Sequence, residues 1–96
     1  MSTYKNLIAW KKGVEITKEV YALSGELPIS EKFNLISQMN RAAISIPSNI
    51  AEGWGRESSK SYLMFLKIAR GSLYELETQI IITNFLGLTL KRKPQL

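Results

Sequence analysis

Apolar residues recur at helical spacing over most of the chain. Between residues 7 and 27 they form two neighbouring stripes whose spacing alternates between three and four residues, which is typical of a helix with a broad buried face. The stripes consist of Leu7, Trp10, Val14, Thr17 and Tyr21 and of Ala9, Gly13, Ile16, Val20, Leu23 and Leu27. Because Gly25 and Pro28 are suited to ending a helix, the first predicted helix covers about residues 5–25.

Two further helices are predicted. Apolar residues continue with helical period from Phe33 to Ile50, after a suitable N-cap at Ser30, and again over residues 62–86, after serines in residues 58–61. The predicted ranges are about 31–53 and 59–86, and residues 89–96 form a basic tail. No stretch alternates with a period of two over more than a few residues. The sequence therefore predicts one all-α domain, residues 1–96, with the helices in an antiparallel up-down bundle.

Pro47 interrupts the second predicted helix within the stretch SIPSNIAEGWGR, residues 45–56. A proline has no N–H to donate to the carbonyl of Ala43, and its ring crowds that carbonyl. The apolar phase nevertheless continues from Ile46 to Ile50. We therefore predict a kinked helix that continues through Pro47, with the displaced backbone groups bonded by the hydroxyl of Ser45 or Ser48.

The end of the same stretch combines two glycines with a tryptophan. Gly53 or Gly55 is expected to supply the left-handed residue that ends the second helix. Trp54 has two open interpretations: a lid that closes the end of its own bundle, which we favour, or an anchor at a subunit contact. Asn49 and Glu52 are not explained by helix ending alone.

The third predicted helix has two opposed faces. The apolar face consists of Tyr62, Phe65, Ala69, Leu73, Leu76, Ile80 and Thr83, and the basic side carries Lys60, Lys67 and Arg70, joined by Arg56 if the helical frame reaches back that far. One interpretation is an ordinary solvated face, which we favour. The other is a cationic strip that contacts phosphates, with Tyr74 available for stacking on a base.

Polarity disappears from the end of the third helix. The run IIITNFLGL, residues 80–88, is apolar on every side, so it must be covered from more than one direction. The candidate interface residues here are Ile81, Ile82, Phe85 and Leu86, together with Trp54. We expect self-association into a homo-oligomer to cover this apolar surface.

Composition limits the chemistry. The chain has no Cys, His or Asp, so a hydrolase, metalloenzyme or redox enzyme is hard to build, and no catalytic residue, metal site or cofactor is predicted. The net charge of +5 comes mainly from Lys91, Arg92 and Lys93. No segment approaches the length of a membrane span, and no secretory signal is recognised, so a cytoplasmic protein without membrane or small-molecule partners is expected.

Four segments together resemble a known family. RAAISIPSNIAEGWGR (41–56), FLKIARGSLYELETQ (65–79), YKNLIAWKKGVEITKEVY (4–21) and ELPISEKFNLISQM (26–39) closely resemble bacterial four-helix bundle proteins of the 23S ribosomal-RNA intervening-sequence type. The accessory variability protein of diversity-generating retroelements is related to them. The resemblance covers about residues 4–88 and implies a homopentameric ring, no catalytic activity, and association with RNA or with a ribonucleoprotein such as a reverse transcriptase complex.

The resemblance also bears on single residues. Arg41, Asn49, Glu52 and Arg56 occupy recurrent polar positions of the family, whereas Asn40 stands where members often have a second basic residue. Members continue past the position of Leu88 into a fourth helix, and here LTLKRKPQL stands instead, so we expect three helices with the fourth missing or truncated.

Two functions from different classes remain open. One is RNA association through candidate nucleic-acid-binding residues, namely Arg41, Arg56, Lys60, Lys67, Arg70, Lys91, Arg92 and Lys93. The alternative is a protein-protein scaffold or assembly module without direct nucleic-acid binding. In both, Pro47, Asn49, Glu52, Gly53 and Gly55 form a structural motif.

Overall fold

The computed structural model describes residues 3–88, which form three long helices joined by short turns. A 3-10 turn at Tyr4–Asn6 precedes helix α1, Ile8–Ser24. A 3-10 turn at Ile29–Glu31 and a π-helical turn at Lys32–Ile36 lead into α2, Ser37–Gly55, and α3 runs from Ser59 to Phe85. Over this part of the chain there is no strand, and the predicted all-α fold is confirmed.

Helix α2 lies in the middle and runs antiparallel to both neighbours. Towards α1, Thr17 contacts Ala43 and, further along α1, Ser24 contacts Asn40. Towards α3, residue 45 bonds to residue 72 and residue 39 contacts residue 83. For each pair of helices, the residue numbers of successive contacts rise along one helix and fall along the other, as antiparallel packing requires. Helices α1 and α3 flank α2 and have few direct contacts with each other.

A groove of about 810 Å³ separates α1 from α3. Its floor is formed by Ile46 and Ile50 of α2, and its walls include Ile16, Leu66 and Leu73. The charged residues along it are Lys12, Glu15, Glu19 and Arg70. Since the fourth helix of an up-down bundle packs between the first and third, this groove has the position that the resemblance predicts for a fourth helix.

The core follows the central position of α2. Its buried apolar members are Val20, Leu23, Leu27, Leu35, Met39, Ala42, Ala43, Ile46, Ile50, Ala69, Leu76 and Ile80. The longer apolar stripe predicted for the first helix supplies the α1 part of this core. In the other stripe, Val14 and Tyr21 are partly exposed and line an apolar cleft of about 510 Å³ against Ile44 and Pro47.

The start of the second helix differs from the prediction. Ser30 makes no capping hydrogen bond, and a 3-10 turn followed by a π-helical turn replaces the first two turns of α-helix. Phe33, which the helical period assigns to the apolar face, is 89% exposed, whereas Leu35 is buried. The reason is that a π turn closes its hydrogen bonds over five residues rather than four, which rotates the residues before it out of phase with α2.

The corner between α2 and α3 also differs in part. Neither Gly53 nor Gly55 adopts a left-handed conformation, and Glu57, with φ of 57°, does so instead. Gly53 has a different role, because a Cβ there would lie 2.7 Å from the Cβ of Phe65. The close approach of α2 to α3 therefore requires glycine at position 53. The predicted serine cap of the third helix is confirmed, since the hydroxyl of Ser58 accepts from the N–H of Ser61 at 3.3 Å.

Candidate nucleic-acid interface

The exposed side of α3 carries the three basic residues that the helical period grouped together. Lys60, Lys67 and Arg70 are all exposed. Lys60 and Lys67 lie opposite buried Ala69 and Leu76, and Arg70 lies towards the groove between α1 and α3. We call these three residues the α3 basic strip. Within residues 3–88 none of the three forms an ion pair. Their charges are therefore available to an anionic partner.

The charge of α3 changes sign along its length. Residues 58–74 include the α3 basic strip and no acidic residue, whereas residues 75–88 include Glu75 and Glu77 and no basic residue. Tyr74 lies at the boundary between the two halves, on the exposed face, with 57% of its surface accessible. Phosphate contacts from the strip and base stacking on this ring are therefore compatible on one face.

Arg56 lies outside the α3 basic strip. It follows α2 directly, before the turn at Glu57, so the helical frame of α3 does not reach it. Its Nε donates to Oε2 of Glu52 at 3.2 Å, and its guanidinium lies 5.0 Å from the centre of the Phe65 ring. Both partners of this arginine come from the corner between α2 and α3, so its contacts are those of a residue that stabilises the corner.

Arg41 is also separate from the strip. It is exposed on α2 and lines a polar cleft of about 310 Å³ between α2 and α3. The other lining residues are Gln38, Ala42, Ser45, Ser72, Glu75 and Gln79. The structure thus brings Arg41 together with polar residues of α3 that the sequence analysis did not single out. The remaining predicted cations, Lys91, Arg92 and Lys93, lie outside the described residues.

Pro47 is accommodated by a residue of α1. Helix α2 continues through this proline, as predicted. The hydroxyl of Thr17 lies 3.1 Å from the carbonyl oxygen of Ala43, which has no donor from position 47, and 2.9 Å from that of Gly13. The sequence predicted the hydroxyl of Ser45 or Ser48 for this bond. It missed Thr17 because the residue is 26 positions away and its side chain fits the apolar stripe of the first helix.

Asn49 and Ser45 bond to each other and to α3. The amide nitrogen of Asn49 donates to the hydroxyl of Ser45 at 2.9 Å and to its carbonyl at 2.7 Å. The Ser45 hydroxyl in turn lies 2.7 Å from that of Ser72. This chain of hydrogen bonds links the middle of α2 to the middle of α3, so it gives the structural motif a role in packing the two helices.

Trp54 lies at the corner, against the start of α3. Its ring contacts that of Tyr62 edge to face, with the centroids 5.8 Å apart, and 36% of its surface remains accessible. It therefore packs over its own bundle, and part of the ring is still available to another molecule.

The apolar end of α3 is uncovered within residues 3–88. Ile81, Ile82 and Leu86 are exposed, and Phe85 is exposed to 89%. Phe33 and Ile29 add further exposed apolar surface at this end of the bundle, where α2 begins and α3 ends. A surface of this kind on a small protein usually marks a site of interaction.

Two other kinds of site, a metal centre and a membrane span, are absent from the described part of the chain. Residues 3–88 contain no group of three or more metal-ligating side chains. None of their helices is long and apolar enough to cross a membrane.

Comparison with known proteins gives the family. No curated protein sequence matches the chain. A family model described as 23S rRNA-intervening sequence protein matches residues 5–93, which is almost the whole chain, and so confirms the resemblance. The chain belongs to the 23S rRNA-intervening sequence protein family.

Proposed function

We propose that this protein is a non-enzymatic, cytoplasmic helical-bundle protein that associates with RNA, free or in a ribonucleoprotein, as a homo-oligomer. The observation that carries the RNA part is the α3 basic strip: Lys60, Lys67 and Arg70 are exposed, form no ion pair within residues 3–88, and share a face with Tyr74. The family name, which refers to intervening sequences of 23S rRNA, supports RNA as the partner.

The α3 basic strip is short, so a single copy has few phosphate contacts. Each cation that neutralises a phosphate contributes to an affinity that falls with salt. An oligomer repeats the strip, and several weak contacts on one RNA molecule add through effective concentration. Oligomerisation and RNA association therefore support each other in this proposal.

The apolar end of α3 supports the oligomer. Ile81, Phe85 and Leu86 are exposed in a chain whose own core is small. Contact with another copy would remove this surface from water, at about 25 cal/mol per Å² of apolar area. Five subunits are expected from the family resemblance, and the mass of the assembly in solution measures their number.

The experiment that tests RNA association compares two charge reversals of equal size. In one variant Lys60, Lys67 and Arg70 are replaced by Glu. In the control, Lys11, Lys18 and Lys32, which are exposed outside α3, are replaced by Glu. Both variants are checked by circular dichroism, and binding to a structured RNA is measured by fluorescence anisotropy at low salt.

We expect the reversal in the α3 basic strip to abolish measurable binding and the control to weaken binding much less. Equal losses of RNA affinity in the two variants would mean that binding depends on net charge alone. Absence of binding by the unmodified protein would refute RNA association.

The second candidate function is a protein-protein scaffold. It is favoured by the exposed apolar end of α3 and the partly accessible ring of Trp54, because exposed apolar surface on a small protein often marks a protein-binding site. In that case Phe85→Ser or Trp54→Ala should abolish assembly or partner capture, whereas reversal of Lys67 and Arg70 should have little effect. The opposite pattern would favour the RNA function.

A further inference from the structure

One side of α3 borders the groove between α1 and α3 and differs from both the core face and the outer face of this helix. Leu63, Arg70 and Glu77 are seven residues apart, so they lie in one row along the helix with little drift. Arg70 lines the groove together with Leu66 and Leu73, and all three members of the row are exposed. We call Leu63, Arg70 and Glu77 the groove-side row.

Exposed apolar residues lie at both ends of the groove-side row. At the start of α3, Leu63 is exposed, and Ile8 at the start of α1 is exposed as well. Because α1 and α3 both run antiparallel to α2, these two residues lie at the same end of the bundle. At the other end of the row, exposed Ile81 and Phe85 continue from Glu77 at intervals of four residues. The row therefore has apolar ends and a charged middle.

The charges of the row favour one way of placing two α3 helices together. Neither Arg70 nor Glu77 forms an ion pair within residues 3–88. Residues 58–74 carry only basic charges and residues 75–88 only acidic ones. Two parallel copies of α3 would bring like charges together, whereas two antiparallel copies bring opposite charges together. When Arg70 of one copy lies opposite Glu77 of the other, the antiparallel arrangement repeats the same pair in the reverse sense.

We propose that α3 of a second copy of this chain packs antiparallel along the groove-side row and covers the groove. In the register that pairs the charges, Leu66 of each copy lies opposite Ile81 of the other, and Leu63 lies next to Phe85. The exposed apolar ends are thereby buried against each other at two equivalent places. The inference rests on the homo-oligomer of the proposed function and identifies its contact surface. Since a twofold contact closes on itself, it joins copies, or rings of copies, in pairs.

The pairing is compatible with RNA association through the outer face of α3. The twofold axis is perpendicular to both helices, so the outer faces of the two copies point in the same direction. Lys60 and Lys67 of both copies then lie on one surface. Tyr74 lies close to the axis, because the axis crosses α3 midway between Arg70 and Glu77. Pairing therefore doubles the basic surface that one RNA molecule meets.

The experiment uses two opposite charge changes in the full chain. Arg70→Glu alone and Glu77→Arg alone each put like charges together at both contacts of the pair, whereas an equal mixture of the two variants restores opposite charges at both contacts. Self-association is measured by sedimentation equilibrium without RNA, after circular dichroism has shown that each variant is folded. The matched controls are Lys60→Glu and Glu75→Arg, the same charge changes at exposed positions on other sides of α3.

We expect each row variant alone to self-associate at least about tenfold more weakly than the unmodified protein, and the mixture to regain association as pairs with one copy of each variant. The two controls should assemble like the unmodified protein. Unchanged association of the row variants, or a mixture that fails to regain it, would overturn the pairing and leave the homo-oligomer intact. An odd number of copies in the unmodified assembly would have the same consequence. A monomer at high concentration would overturn both the pairing and the homo-oligomer.

Discussion

The hydroxyl of Thr17 on α1 lies 3.1 Å from the carbonyl oxygen of Ala43 on α2, the acceptor that Pro47 leaves without a backbone donor. The same hydroxyl lies 2.9 Å from the carbonyl oxygen of Gly13, so its one proton is shared between a carbonyl of α1 and one of α2. The ring of Pro47 is also close to Gly13, where a Cβ would lie 3.2 Å from two of its carbons. The proline is therefore accommodated jointly by a small residue and a hydroxyl, one helical turn apart on α1.

Thr17→Val should lower the free energy of unfolding by about 1–2 kcal/mol, because it leaves the carbonyl of Ala43 without a donor while keeping the shape of the side chain. Denaturant unfolding measures the change. Thr78→Val is the matched control: that hydroxyl donates to the carbonyl of Tyr74 on an exposed surface, so its loss should matter little.

A double-mutant cycle with Pro47→Ala isolates the role of Thr17. Alanine restores the N–H at position 47, so Ala43 regains a backbone donor and Thr17→Val should cost less in that background. Equal costs of Thr17→Val with and without the proline would contradict this explanation.

Glycine at position 53 should be required by the packing of α2 on α3. Gly53→Ala puts a methyl group 2.7 Å from the Cβ of Phe65, so we expect the free energy of unfolding to fall by about 1–3 kcal/mol. At Gly55 nothing lies within 4 Å of the added carbon, and Gly55→Ala should stabilise the helix by up to about 1 kcal/mol. Thermal or denaturant unfolding of the two variants should therefore shift in opposite directions, and shifts of the same sign would refute the assignment.

Self-association should depend on the apolar end of α3. Phe85→Ser removes the most exposed aromatic ring of that helix, so sedimentation equilibrium should show a smaller assembly or a monomer. Met64→Ser, a half-exposed apolar position in the other half of α3, is the control and should leave the mass unchanged. If the unmodified protein is a monomer at high concentration, the oligomer part of the proposal is wrong.

Tyr74 should contribute stacking to single-stranded RNA. Removing a stacked ring costs about 1–3 kcal/mol per base, so Tyr74→Ala should weaken binding to single strands at least about fivefold, whereas Tyr74→Phe should retain it. Tyr21→Ala, at a comparably exposed tyrosine on α1, is the control. Equal losses for Tyr74→Ala and Tyr74→Phe would assign the effect to the hydroxyl group instead of the ring.

The helical period predicted most of α3 correctly because that helix is long and regular. The period placed Ala69 and Leu76 inside and the α3 basic strip outside, and the structure agrees. It failed at Phe33, where a π-helical turn changes the period without a signal in the residue types. The apolar phase from Ile46 to Ile50 also predicted correctly that α2 continues through Pro47.

Other features depend on contacts between helices and could not be predicted from one helix at a time. Thr17 and Ala43 are far apart in the sequence, and Arg56 meets Phe65 only after the corner is formed. Gln79 belongs to the edge of the α3 apolar face, where a polar residue is ordinarily solvated. Its burial follows from the position of α2.

The salt dependence of RNA affinity tests the central claim most directly. Lys60, Lys67 and Arg70 are replaced together by Ala, and the affinity of this variant and of the unmodified protein for one RNA is measured over a range of salt concentrations. If the three cations neutralise phosphates, the slope of log affinity against log salt should become shallower by about 2 or more, since each contact contributes about 0.7–0.9. An unchanged slope would contradict the claim that the α3 basic strip binds RNA.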